Sequence, residues 1–261
     1  MAFLKSGNPA LSEKRFSSTV IPDLLTVESN TMTVKGTLNK FGFLFLLTMG
    51  SAYYAWTEYT GGGDVWPMML IGLFGGLGIA IFMSFKKEWS PYLAPAYALL
   101  EGLFVGGISA YFEYAAASPD SRFAGYGGIV LQAMGLTFSV VAAMYLLYKF
   151  NIIRATQKFK AIIWTATAGI GIFYLVCWIL HFSGVTPPSF LFQGSAMGIG
   201  FSVFVVALAA MNLIIDFDMI EKGAEMGAPK YMEWYGAFGL LVTIVWLYVE
   251  ILRLLSKLNR R

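Results

Sequence analysis

Four carboxylates occupy positions where a carboxylate is costly. Glu101, Asp216, Asp218 and Glu250 lie within or at the edge of apolar runs long enough to cross a bilayer. An acid at the membrane centre costs about 3 kcal/mol on insertion scales, so each is a candidate for an ion pathway or a proton-linked site. Glu101 stands ten residues after Pro91, about 15 Å along a helix and close to the midplane. It reads either as a protonated acid hydrogen-bonded to a neighbouring helix or as a pathway carboxylate. Asp216 and Asp218, two apart, point to nearly opposite faces and cannot chelate one ion together. Asp218 has Lys222 one turn later and reads as a solvated structural pair. Asp216 shares its face with Asn212 and has Ile220, not a cation, four residues on. It is the better candidate for a buried, titrating group. Glu250 has Arg253 at i+3 and reads equally as an interfacial ion pair or a functional acid. Glu225 and Glu233 flank a loop and read as surface residues.

Other chemistry is sparse. His181, the one histidine, follows Cys177, the one cysteine, by four residues. Two ligands are too few for a zinc site, so a packed pair is the simpler reading. A single histidine excludes a His-Glu-x-x-His metalloprotease, and no Gly-x-Ser-x-Gly elbow supports a serine hydrolase. The expectation is a protein that is not an enzyme and has no resident cofactor.

The elements that position the acids follow from composition. Of 261 residues, 57% are hydrophobic and only 13% charged, with a mean hydropathy of +0.66. A soluble domain carries about 25% charged residues, so the surface must be covered by lipid. A net charge of +3 gives no reason to expect nucleic acid as a partner. Apolar stretches at 41–58, 65–85, 92–113, 128–149, 161–183, 194–220 and 234–255 are each near the ~20 residues that a bilayer requires. Backbone groups in lipid must be bonded internally and the runs are continuous, so these are helices. The fold class is an all-α membrane protein, with a polar, largely disordered tail at 1–38 and a transmembrane domain at 39–261. Small-residue pairs, Gly72/Gly76, Gly102/Gly106 and Gly194/Gly198, lie at helix-packing spacing. The run Gly75-Gly76-Leu77-Gly78 has no strand before it and is not a nucleotide fingerprint.

Lys and Arg fix an expected orientation. Thirteen lie in the tail and the even-numbered connections, against Arg122 alone in the odd-numbered ones. The N-terminus is therefore expected in the cytosol. Arg253, Lys257, Arg260 and Arg261 break the pattern: either they snorkel at the outer interface, or the last stretch is partly re-entrant.

Three segments resemble the Bax inhibitor-1 (lifeguard) family. Leu100-Glu101-Gly102-Leu103-Phe104-Val105-Gly106 is similar to its Glu-Gly-Leu segment in span three. Asp216-Phe217-Asp218-Met219-Ile220 resembles the end of span six, and Leu247-Tyr248-Val249-Glu250-Ile251-Leu252 resembles a segment of span seven. The tail looks like a bacterial branch. The resemblance implies a seven-transmembrane-helix bundle with the last helix central, in the bacterial inner membrane. It also implies a pH-dependent calcium leak through acids on spans six and seven, here Asp216 and Glu250, with Asp216 a calcium contact. A bacterial relative interacts with a membrane-bound AAA protease, which makes such a protease or other membrane proteins the expected partners besides lipid. The second acid is Glu where the family has Asp. A straight helix from Lys230 puts Glu250 about 30 Å along, toward the outer face, so Glu101 is nearer Asp216 in depth.

The leading expectation is thus a proton-regulated cation leak. Burial and a like-charged neighbour disfavour ionisation of an acid pair. One shared proton would hold the helices together, and ionisation would part them and offer oxygens to a hard cation. The alternative is a non-conducting interaction protein whose tail is the handle.

Overall fold

The computed structural model describes residues 30–116, 128–184, 186, 188–191 and 194–259. Seven long helices account for almost all of them: α1 Val34–Thr60, α2 Trp66–Phe85, α3 Ser90–Ala116, α4 Ile129–Lys149, α5 Gln157–Phe182, α6 Ala196–Glu225 and α7 Met232–Asn259. All but α1 are long and apolar enough to cross a membrane by length and composition. The apolar stretches and the helices coincide, with most helices running a few residues further at one or both ends. Among the described residues there is no strand, only an isolated bridge between Thr31 and Pro229.

The helices alternate in direction. The starts of α1, α3, α5 and α7 share one end of the bundle, called proximal below, and their ends share the distal one. The helix starts have local causes. Thr33 caps α1 by accepting from Gly36 N–H at 3.0 Å, and Ser195 caps α6 through Gly198 N–H at 3.1 Å. Pro67 sits in the first turn of α2, where its missing N–H is not needed.

α7 is the centre of the bundle. It packs against α1, α3, α4 and α6, and Leu241, Leu247 and Leu252 along it are fully buried. α2 leans on α3, and α5 packs chiefly on α6. These two outer helices expose Leu70, Ile71, Phe74, Leu77, Ile162, Ile172 and Leu175, a continuous apolar surface suited to lipid. The glycine pairs bring backbones together. A Cβ on Gly106 would lie 2.7 Å from Ala52 Cα of α1, and one on Gly72 would lie 2.5 Å from the Leu100 carbonyl of α3.

Two expectations change here. The polar segment does not run free to residue 38. Met32 N–H donates to Ala228 O at 2.7 Å, Lys230 N–H donates to Asn30 O at 2.9 Å, and α1 begins at Val34. Residues 30–33 are thereby strapped to the connection between α6 and α7; residues 1–29 lie outside the described part. The last stretch is not re-entrant either. α7 is one unbroken helix of 28 residues, about 42 Å long, that crosses from the proximal to the distal end.

Candidate functional site

Two helices carry polar residues at seven-residue intervals. On α5 these are Lys160, Thr167 and Tyr174; on α7 they are Thr243, Glu250 and Lys257. Residues seven apart lie on nearly the same helix face, so each set forms a stripe. The stripes face α6, whose Ser202, Asn212, Asp216 and Asp218 answer them. The result is a polar seam along the α5–α6–α7 side of the bundle.

From the proximal end, the first level of the seam is Asp218. It is paired with Lys160 of α5 and, at 2.8 Å, with Lys222. Only 7% of Asp218 is exposed, which corrects the expected solvated pair. The second cation comes from α5 and closes over the carboxylate. Next, Asn212 Nδ2 donates to Thr167 Oγ1 and to Leu208 O, both at 2.9 Å. Asn212 thus ties α6 to α5 rather than serving Asp216. Asp216 instead turns to α7, where it meets the hydroxyl of Thr243. That hydroxyl also reaches Gly239 O at 3.2 Å. The remaining Asp216 oxygen, Oδ2, is buried without a partner.

Glu250 lies two turns further along α7, about 10 Å beyond Thr243. Its Oε1 accepts from Arg253 Nη1 at 2.9 Å and from Tyr174 OH at 3.3 Å. Arg253 also donates to Tyr174 OH at 2.9 Å and lies over its ring. The expected i,i+3 pair with Arg253 is therefore present, yet Glu250 is only 2% exposed and its Oε2 is buried without a partner. At the distal level, Lys257 Nζ donates to Ser202 Oγ at 2.8 Å and to Gly198 O at 3.1 Å. It is 3% exposed; it points inward rather than snorkelling.

Glu101 is not part of the seam. It lies on α3 on the side that faces α2, bonded to Tyr97 of its own helix. A Cβ on Gly76 would stand 3.4 Å from its Oε2. Tyr97 in turn packs edge-on against Phe238 of α7, with centroids 4.8 Å apart. No hydrogen bond or ion pair among the described residues joins any two of Glu101, Asp216 and Glu250. No three of His, Cys, Asp and Glu gather there as a metal site would require. Cys177 is buried, while the side chain of His181 lies outside the described residues.

Glu233 overturns the reading of it as a surface residue. It is fully buried at the proximal end, where it pairs with Lys40 of α1 and with Lys230 at 2.9 Å. It also accepts from the backbone N–H and the hydroxyl of Thr33, each at 2.9 Å. Its position at the end of an apolar run hid it, because Lys40 and Thr33, which bury it, come from distant sequence.

Seven long helices, a buried last helix and acids facing the interior define a multi-pass α-helical membrane protein. The chain belongs to the Bax inhibitor 1 like family, whose model matches residues 7–260. Comparison with curated proteins gives no match.

Proposed function

We propose that this protein is a pH-sensitive cation leak, with calcium as the permeant ion, and that the seam between α5, α6 and α7 is its route. The observation that carries the reading is a pair of orphaned oxygens, Asp216 Oδ2 and Glu250 Oε2, buried at two levels of that seam. A buried carboxylate oxygen without a partner is an unmet demand for a proton, a water or a cation. Hard cations are bound by such oxygens, with carbonyls and waters completing the shell.

The acids act in series rather than as a couple. A protonated Asp216 donates to Thr243 Oγ1 while Thr243 donates to Gly239 O, a closed chain that joins α6 to α7. An ionised Asp216 demands that the single Thr243 proton turn toward it, which releases Gly239 O and draws water into the seam. Low pH then favours the closed chain and higher pH the hydrated one. α5, held mainly by α6 and by polar contacts, is the wall free to move. In this reading the protein is a conductor and not an enzyme, and it needs no resident cofactor. Its N-terminal side faces the cytosol of a bacterial inner membrane, as the Lys and Arg of the proximal end favour.

The test is calcium entry into dye-loaded proteoliposomes at about pH 6, 7 and 8. Wild-type flux should rise with pH, Asp216→Asn should flatten that profile, and Glu250→Gln should lower flux at every pH. A pH profile unchanged in Asp216→Asn would refute the switch. Folded protein with no flux above empty liposomes would favour a non-conducting protein that binds a membrane protease or other membrane proteins.

A further inference from the structure

The distal end of α7 opens on a cavity of about 340 Å³. It lies between the end of α1, the start of α2 and the end of α3. Arg253, Ser256 and Lys257 line it from α7, and Tyr59, Trp66 and Tyr111 are among the aromatic residues that face them. Trp66 is 61% exposed, as an aromatic anchor at headgroup depth would be.

The charges in this cavity do not balance. Among the described residues, both charged groups that line it are cations and no carboxylate does. Arg253 already has its counter-charge in Glu250. Lys257 makes no ion pair of its own among the described residues: its two acceptors, Gly198 O and Ser202 Oγ, are neutral. The carboxylate whose charge reaches it is the same Glu250, so two cations share one negative charge. A buried ammonium in the low-dielectric end of a bundle is unfavourable unless an anion completes it. Ser256, 7% exposed, adds a hydroxyl one turn from Arg253 on the same face. Two cations and a hydroxyl at i, i+3 and i+4 form a cradle for several oxygens of one anion.

We propose that this cavity is an anion site for a phosphate group, with Lys257 as its principal charge and Arg253 and Ser256 beside it. Its volume exceeds that of a bare phosphate, and the exposed Trp66 on its lining is of the residue type that favours headgroup depth. The ligand chemistry therefore fits both a free phosphate anion and the phosphodiester of an anionic phospholipid. Arg253 and Lys257 belong both to this cavity and to the distal end of the seam, so the site adjoins the proposed ion route. Its occupancy is read without any flux and does not require that the seam conduct.

The experiment is thermal unfolding of the detergent-purified full chain, titrated separately with inorganic phosphate, short-chain phosphatidylglycerol and short-chain phosphatidylcholine. Wild type should show saturable stabilisation by phosphatidylglycerol. Additional stabilisation by phosphate would assign the free anion as a ligand too, and its absence would assign the lipid. Lys257→Met should raise the half-saturating concentration by about tenfold or more, the loss expected for one charge-assisted contact. Ser256→Leu removes the hydroxyl and sets an apolar branch between the two cations while leaving both in place, so it should raise the half-saturating concentration even if Lys257→Met does not fold. Equal stabilisation by phosphatidylcholine, no saturable stabilisation by either anion, or unchanged titrations in Ser256→Leu would overturn the proposal.

Discussion

Glu233→Ala should loosen the proximal end of the bundle more than the removal of any cation that Glu233 binds. The fully buried carboxylate accepts from Lys40, Lys230 and two groups of Thr33. Deleting one partner of a buried ion pair costs about 3–5 kcal/mol, because the other charge is stranded. Here the stranded groups are the lysines, whose side chains are 20% and 44% exposed. Water recovers part of their solvation, so the loss should be about 2–3 kcal/mol. For a chain of this size that is a drop of about 5–10 °C in melting temperature. Lys40→Met should cost about 1 kcal/mol, since Glu233 keeps Lys230 and both Thr33 donors. Cys177 provides the assay. It is the single cysteine and is buried, so a thiol-reactive dye reports unfolding of the purified protein. The reasoning fails if Glu233→Ala melts within about 1 °C of wild type, or if Lys40→Met lowers the melting temperature more than Glu233→Ala does.

Two further perturbations read the packing of the other helices. Gly106→Ala places a methyl against the Ala52 backbone and should lower the melting temperature by several degrees, as overpacking costs about 1–3 kcal/mol. Gly169→Ala on α5 meets nothing within 4 Å, so it should be neutral or stabilise by about 0.5–1 kcal/mol through helix propensity. Asp218→Asn leaves Lys160 and Lys222 facing each other without their carboxylate. It should expose the proximal part of α5 to limited proteolysis, whereas Lys222→Ala, which removes a half-exposed partner, should leave the cleavage pattern close to wild type.

The helices were legible in the sequence because lipid imposes a simple rule. A run of about 20 apolar residues must close its own hydrogen bonds, and the breaks at Gly61–Asp64, Lys86–Pro91 and Gly223–Pro229 are chemically abrupt. The proximal strap was not legible. Thr31, Met32 and Thr33 read as polar tail residues because their partners, Ala228, Pro229 and Glu233, lie some 200 positions away. For the same reason Glu233 seemed bound for the surface. A lone acid next to a loop says nothing about whether a lysine from another helix will reach it.

The acids themselves were legible from their position in apolar runs, but their partners were not. The family resemblance pairs Asp216 with Glu250, and a shared proton requires oxygens within about 3 Å of each other. Thr243, the residue of α7 that Asp216 meets, lies two turns before Glu250, so bringing the acids together would require α6 and α7 to slide by about 10 Å. Each acid already has a different neighbour at its own level: a hydroxyl for Asp216, a guanidinium and a phenol for Glu250. The seven-residue stripes of α5 and α7 contained this information. Lys160, Thr167 and Tyr174 are too varied in type to stand out as a motif, yet their spacing puts them on one face, and that face is the wall the acids need. In this helical bundle, polar residues repeating every two helical turns are therefore a better guide to the buried polar seam than acids matched by type.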